Sequence, residues 1–354
     1  MRVIFEELSA PLRAGGIEAA TRGLVAALEQ SGVSVTRCFP GVPVLDGPLP
    51  DCVHIHGIWS PALLRRFKHW RARGVPCVIT VHGMLEPWAL AHKRWKKRIA
   101  WYVYQRGWLN GAAVLHATSA REAKNLRALG LKPEIVMIPW GIEMPGEVQD
   151  GRQKTEDRGQ RTEDGGSESG IQHSHRLALF VGRIYPVKGL PMLVEAWAKV
   201  RPDGWRVKIV GPDEAGHQAE VLALVRAAGL DEVIEFTGPL DGDALQDAYR
   251  QAELFVLPSY TENFGMVVAE ALAHGVPVIA SQGTPWSGLR DHGCGWWSEI
   301  SSGGLAEALA QATACSSEQL RQMGARGRAW MQRDFSWDEV ARRMINLYGS
   351  AISR

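Results

Sequence analysis

The chain has 354 residues, and its 40 basic and 38 acidic side chains leave a formal net charge of +2 at pH 7. That length suits two domains of ordinary size better than one core, and the balanced charge argues against nucleic-acid binding, leaving any electropositive surface local. Hydrophobic residues at 45% and charged residues at 22% are ordinary values, so most of the chain is expected to fold.

The start, Met1 to Leu8, lacks the basic run, long apolar core and small-residue cleavage site of a secretory signal. No apolar run approaches the length of a bilayer span. Cys38, Cys52, Cys77, Cys294 and Cys315 are odd in number, widely spread and free of any CxxC pair. That argues against a disulfide framework and structural zinc and fits a reducing compartment, so the cytoplasm is the expected location.

Short β-branched runs alternating with helical patterns predict strands at Arg2–Phe5, Val33–Cys38, Cys52–His56, Pro76–Thr80, Ala113–Ala117 and Glu134–Ile138. This is the pattern of an α/β domain over 1–145 with a mostly parallel sheet. From 146 to 175 the pattern stops: KTEDRGQ is followed by RTEDGG and SESG, with almost no apolar residue from Gln149 to Gly170. Such composition cannot repay the entropy of ordering, which predicts a flexible low-complexity linker.

Alternation resumes over 176–335, with strands predicted at Leu177–Val181, Trp205–Val210, Val233–Phe236, Leu254–Leu257 and Val276–Ala280 and helices between and after them. A last helix, Asp338–Tyr348 within 336–354, carries an apolar stripe. Two such α/β domains imply a cleft between them, where ligands sit beyond the carboxyl ends of the strands.

The strongest local signal is LFVLPSYTENFGMVVAEALAHGVPVIAS, a strand, loop, helix, turn and strand starting at Leu254. Glu262 lies in its loop and Glu270 on its helix among apolar neighbours. A semi-buried carboxylate needs hydrogen-bond donors, which sugar or ribose hydroxyls would supply; the alternative is a pair of structural glutamates satisfied within the protein. The start of that helix, from Asn263, offers free N–H groups to an anion or to sugar oxygens.

The second signal is FVGRIYPVKGLPMLVEAW, where Gly182 ends a buried strand and Arg183 and Lys188 stand near a helix start. Two cations beside the positive end of a helix form a site for a diphosphate, against the alternative of plain solvated charges. Neither a dinucleotide fingerprint nor an ATPase phosphate loop is present.

GRIYPVKG together with PSYTENFGMVVAEALAHGVPVIAS closely resembles the retaining glycosyltransferases of family 4, which have the two-domain GT-B fold. The resemblance runs from Gly15 and Gly16 to the terminal helix, the linker excepted. It implies that Glu262 binds the transferred sugar, with Asn263, Phe264 and Gly265 offering backbone donors, and that Glu270 binds the ribose. Arg183 and Lys188 would hold the diphosphate and neutralise its growing charge, and Gly182 would give the turn beside it. Gly16, in GGIE, would let backbone approach the phosphate from the other domain. The last helix would cross back onto the N-terminal domain. The resemblance further implies retention of anomeric configuration, no required metal or other cofactor, and a nucleotide-sugar donor.

His82, in TVHGM, matches a family position beside the reacting sugar, although a lone histidine is more often structural. His54 and His56, in HIHGIW, are weaker candidates for shaping an acceptor pocket, and no spacing marks them as metal ligands. Two features depart from or subdivide the pattern. Trp140 stands in IPWGIE where the family often has asparagine, and TPWSGL with CGWW resembles members that build cell-surface polysaccharide or lipopolysaccharide, implying a glycan or lipid-linked acceptor.

Residues 92–108, HKRWKKRIAWYVYQRGW, place Trp95, Ile99 and Tyr102 at helical spacing with Lys93, Lys96 and Lys97 outside. They read either as a core helix burying that apolar face or as peripheral docking to an anionic membrane at its inner face. Two competitors to a transferase remain at the level of sequence. One is a related enzyme that hydrolyses or isomerises nucleotide sugars; the other is a catalytically silent sugar-nucleotide-binding module.

Overall fold

A computed structural model describes residues 1–8, 16–41, 47–91, 94–146 and 175–354. The expected linker 146–175 lies outside the described residues except for its two ends. Six strands form a parallel sheet in the N-terminal half: β1 (Arg2–Glu7), β2 (Ser34–Cys38), β3 (Cys52–His56), β4 (Cys77–Thr80), β5 (Val114–Ala117) and β6 (Glu134–Met137), in the order β2-β1-β3-β4-β5-β6. A second parallel sheet holds β7 (Arg176–Val181), β8 (Trp205–Val210), β9 (Ile234–Gly238), β10 (Leu254–Leu257), β11 (Val278–Ser281) and β12 (Gly295–Ser298), ordered β12-β11-β10-β7-β8-β9. Helices link most successive strands within each sheet, so these are two Rossmann-like domains. β12 is an element the strand pattern did not predict. Its GWWS residues pair with β11 from Val278↔Gly295 to Ser281↔Ser298.

Strands covered on both faces read as nearly continuous apolar runs, and β10, LFVL, is buried throughout. β3, CVHIH, is equally buried but carries two histidines. A buried polar group must find a partner, so these two positions mark where the sheet has work beyond packing.

The final helix, Trp337–Ile352, joins the halves. Its start is capped by Ser336, and just before it Phe335 accepts the Ile142 N–H at 2.7 Å. Trp337 fits between two glycines: a Cβ on Gly23 or on Gly141 would lie 2.3 or 2.2 Å from its ring. Farther along, Arg343 donates to the Met137 carbonyl at 2.9 Å, and Val340, Met344, Leu347 and Tyr348 are buried. The stripe therefore continues one apolar core from the C-terminal sheet to one face of the N-terminal sheet, while a second core fills the opposite face.

Candidate active site

The order of the C-terminal sheet reverses between β7 and β10, and the loops leaving those two strands carry both sequence signals. Open α/β sheets bind ligands at such a switch point. Gly189, at φ +70°, lies so close to the other loop that a Cβ there would come within 2.2 Å of the Pro258 carbonyl oxygen. The Tyr260 N–H donates to the Val187 carbonyl at 2.8 Å, so the loops are joined through backbone. On this frame Lys188 Nζ donates to Glu262 Oε1 at 2.5 Å, and Ser259 Oγ donates to the same oxygen at 2.8 Å. Both side chains are mostly buried, 13% and 14% exposed. An ammonium has three N–H donors, so Lys188 keeps capacity for an anion while holding Glu262.

Arg183 goes elsewhere. Its Nη1 donates to Glu214 Oε2 at 2.5 Å, and the guanidinium lies 5.9 Å from the Tyr185 ring. The structure thus brings Lys188 to Glu262 and Arg183 to Glu214, on the exposed side of the same loop. Gly182 ends β7 by donating to the Val210 carbonyl at 2.9 Å.

Gly265, at φ +80°, turns the chain into the helix Met266–Ala273. Phe264 is pinned by its ring, edge-on to Trp286 at 5.2 Å, and by its carbonyl, which accepts Trp286 Nε1–H at 2.6 Å. Among the described residues no protein acceptor takes the N–H groups of Asn263, Phe264 or Gly265, and Asn263 Oδ1 is buried without a partner. Glu270, on the following helix, receives the Tyr249 hydroxyl on Oε2 at 2.6 Å. Burial raises its pKa, and that hydrogen bond works against the rise. The protein itself therefore supplies one of the donors that the sequence reading assigned to a ribose.

Gly16 opens the first helix, Gly16–Gln30; Gly15 lies outside the described residues. His82, immediately past β4, is buried at φ +51° and followed by Gly83 at φ +72°, a left-handed stretch that only glycine adopts freely. A Cβ on Gly83 would fall 2.9 Å from the Asn263 side chain. The loop after β4 thus touches the loop after β10 across the domain boundary.

Four histidines gather behind that contact. His56 Nδ1 and His82 Nε2 stand 3.2 Å apart, and His82 stacks on Trp140, rings 5.6 Å apart and 3° from parallel. Trp140, the departure in IPWGIE, is thus the surface on which His82 stacks. His54 and His116 belong to a chain whose proton order is determined. His116 Nε2–H donates to the Ile138 carbonyl at 2.7 Å, so its Nδ1 accepts the Thr80 hydroxyl, also at 2.7 Å. Thr80 then accepts His54 Nε2–H at 2.6 Å, and His54 Nδ1 accepts the Tyr348 hydroxyl at 2.8 Å. His54 is therefore internally satisfied rather than facing an acceptor pocket, while His56 Nε2 and His82 Nδ1 are buried without partners. Burial lowers the pKa of all four rings, that of His82 to about 3 and that of His116 to about 4. The rings are neutral at pH 7. Among the described residues no group of three or more His, Cys, Asp or Glu is placed to hold a metal ion.

Thr118, Arg121 and Glu122 were missed by the sequence reading, although ATSAREA contains the signal. Ser119 and Glu122 have helix-capping spacing, and Ser119 does accept the Glu122 N–H at 3.1 Å. The Glu122 side chain does not return to the cap; it accepts from Gly83 N–H at 2.5 Å and Thr118 N–H at 2.7 Å.

Of the two alternatives for 92–108, the core helix burying Trp95, Ile99 and Tyr102 is not what the chain forms. Trp95, Ile99 and Tyr102 do not bury a face; they are 66%, 56% and 71% exposed, with Trp88 and Val103 exposed beside them. Helical residues 94–100 pass into a π-helical turn at Trp101–Gln105. That wider turn rotates the side-chain register, and it is Gln105, Trp108 and Leu109 that are buried. His92 and Lys93 lie outside the described residues.

The family described as "Glycosyl transferases group 1" matches residues 164–330, and "Glycosyl transferase 4-like domain" matches residues 42–141. A D-inositol 3-phosphate glycosyltransferase of Actinosynnema mirum is 30% identical over 329 residues, covering 85% of this chain and 72% of that protein. The chain belongs to the group 1 glycosyltransferases. A second such protein, from Streptomyces griseus, is 30% identical over 79% of the chain and 63% of its own length. Among solved structures, sucrose-phosphate synthase from Thermosynechococcus elongatus superposes with a TM-score of 0.74 at 22% identity, covering 99% of each chain. Anabaena HepE, in complex with UDP and glucose, gives 0.71 at 17% identity, over 99% of this chain and 100% of that one. WaaG, a glycosyltransferase involved in lipopolysaccharide biosynthesis, gives 0.66 at 16% identity, over 98% and 99%. The glycosyltransferase has a GT-B-type fold with an interdomain cleft. It moves a sugar from a nucleoside-diphosphate donor to an acceptor. The silent binding module is thereby set aside.

Proposed function

We propose that the enzyme is a retaining glycosyltransferase of family 4 that extends a glycan or lipid-linked acceptor in cell-surface polysaccharide biosynthesis. The observation that carries the donor-site reading is the buried Lys188–Glu262 pair at the switch point of the C-terminal sheet, within one loop of His82 from the other domain. In this reading Lys188, the open N–H groups of 263–265 and Arg183 after release from Glu214 stabilise the departing diphosphate through groups already in place. Glu262 binds the donor sugar. Its carboxylate is engaged by Lys188 and Ser259, which suits an acceptor of sugar hydroxyls better than an attacking group. Glu270 binds the ribose through the oxygen not taken by Tyr249, and Gly16 and Gly182 bring backbone to the phosphates. His82, neutral at working pH, offers a hydrogen bond to the reacting sugar, and the leaving phosphate receives the acceptor proton.

Incubation with UDP-, GDP- and ADP-sugars, with and without a lipid-linked glycan or an inositol phosphate, tests this. Product with the donor's anomeric configuration, formed only when acceptor is present, is the expected result. An inverted anomer, or free sugar released equally without acceptor, would reject the reading, the second in favour of hydrolysis.

A lipid-linked acceptor also fits a peripheral membrane contact at the cytoplasmic face. The support is the exposed Trp88, Trp95, Ile99, Tyr102 and Val103 within residues 87–121, a run that contains Lys and Arg but no Asp or Glu. Aromatic side chains with cations between them favour an anionic interface. No helix among the described residues is long and apolar enough to cross a membrane, so the contact is superficial. Charge reversal at Lys96 and Lys97 is expected to abolish flotation with liposomes containing phosphatidylglycerol. Flotation independent of anionic lipid would contradict the contact.

A further inference from the structure

Two neighbouring side chains of the N-terminal domain hold the backbone of both site loops. Glu122 is buried, and its oxygens are fully engaged: Oε1 by Gly83 N–H at 2.5 Å, Oε2 by Thr118 N–H at 2.7 Å and by the Thr118 hydroxyl at 2.9 Å. The single hydroxyl proton of Thr118 is committed to that carboxylate, so its oxygen is left to accept, and Asn263 Nδ2–H donates to it at 3.2 Å. Arg121 crosses to the same loop. Its Nη1 donates to the Gly283 carbonyl at 2.7 Å and its Nη2 to the Glu262 carbonyl. The two carbonyls are already linked, because Glu262 N–H donates to Gly283 O at 2.9 Å. Glu86, 3.8 Å from Arg121 Nε and held by Asn125 at 2.8 Å, steadies the guanidinium from behind.

We propose that Arg121 and Glu122 form an interdomain clamp, and that these positioning residues set the Glu262 loop against the His82–Gly83 loop when the cleft closes. Neither needs to touch substrate. Arg121 grips the backbone of the residue whose side chain meets Lys188, Glu122 grips the backbone next to His82, and Thr118 with Asn263 ties the two together. A planar guanidinium spans two carbonyls, which the single ammonium of lysine cannot do in the same fixed geometry. Closure and assembly of the donor site are then one event, a form of induced fit. The inference rests on the reading of Glu262 and His82 as site residues.

The test combines steady-state kinetics with small-angle X-ray scattering of the full chain, with and without UDP, GDP and ADP. Displacing a loop by about an ångström lowers turnover by about 10- to 100-fold. That fall in kcat is expected for Arg121→Ala, with a raised donor KM and a larger radius of gyration in nucleotide. Arg121→Lys should recover part of both. Glu122→Gln, which replaces one acceptor oxygen by a donor facing a backbone N–H, should lower kcat at temperatures where its melting curve shows the variant still folded. An Arg121→Ala protein with unchanged kcat, KM and radius of gyration overturns the clamp. So does one whose defects are matched by global loss of fold while Arg121→Lys and Glu122→Gln behave as the parent. Failure of the underlying site reading looks different: Glu262→Gln or His82→Ala would then leave turnover intact whatever Arg121 does.

Discussion

Replacing Lys188 by alanine is expected to lower kcat/KM by about 100- to 1,000-fold, the equivalent of roughly 3–4 kcal/mol of transition-state stabilisation for one preorganised charge. The same change leaves the mostly buried Glu262 carboxylate with only Ser259 as a side-chain donor. Removing one partner of a buried ion pair costs stability, about 3 kcal/mol or more. Chemistry and folding are therefore entangled in the single variant. The double variant Lys188→Met, Glu262→Gln separates them, because it removes both charges together. It should regain most of the thermal stability and none of the activity. Steady-state kinetics beside thermal melts decide the matter, and a Lys188→Ala enzyme that melts early yet turns over at the parent rate would make the pair structural.

Acid should destabilise the enzyme steeply from pH 6.5 downward. His54, His56, His82 and His116 all have folded pKa values below the ordinary 6.5, chiefly because burial penalises the charged ring; neighbouring rings repel charge at His54, His56 and His82, and Arg343 does so at His116. A base whose folded pKa is depressed binds protons only in the unfolded chain as pH falls past 6.5, so stability falls with pH. The window runs from 6.5 down to about 4 for His116 and about 3 for His82. Each ring contributes about 1.4 kcal/mol per pH unit within it. The buried carboxyls Glu6, Glu122 and Glu270, with pKa raised by burial, take up protons first in the folded state and oppose the trend nearer their own range. The decline is therefore cleanest just below pH 6.5. Protonation would also break a specific structure, since His54 Nδ1 and His116 Nδ1 serve as acceptors in the chain from Tyr348 to Ile138. The urea midpoint, followed from pH 7.5 to 5, should drop throughout the lower half of that interval. A flat midpoint would mean that the rings titrate normally.

Strand after strand was legible in the sequence because parallel strands covered on both faces are short apolar runs between helical patterns. β12 escaped because GWWS follows a turn, has glycine at its start and only its last residue buried. Lys188 and Glu262 were legible as chemistry because they sit in dense motifs at strand ends. Their direct contact was not, since it depends on β7 and β10, with β8 and β9 between them in the chain, becoming neighbours in the sheet. Arg183 shows the same limit from the other side: its partner Glu214 follows β8, and nothing in GRIYPVKG identifies it. The apolar spacing of Trp95, Ile99 and Tyr102 suggested a buried face, but helix Arg94–Ala100 buries none of its residues, and inward packing begins only past the π-helical turn, at Gln105, Trp108 and Leu109. Arg121 and Glu122 stayed hidden because a helix start with Ser and Glu is complete as a local cap; only tertiary structure shows that the glutamate serves another loop.

Nucleotide binding by the two loops after β7 and β10 underlies every role assigned to the donor site. Calorimetric titration of UDP, GDP and ADP into the parent enzyme and into the Lys188→Ala and Arg183→Ala variants tests it. One nucleoside diphosphate is expected to bind the parent, with its affinity falling about tenfold or more in Lys188→Ala, the value of at least one charge-assisted hydrogen bond. A smaller fall is expected in Arg183→Ala, whose guanidinium is more exposed and paired with Glu214. Affinity for that nucleotide unchanged in both variants would contradict it.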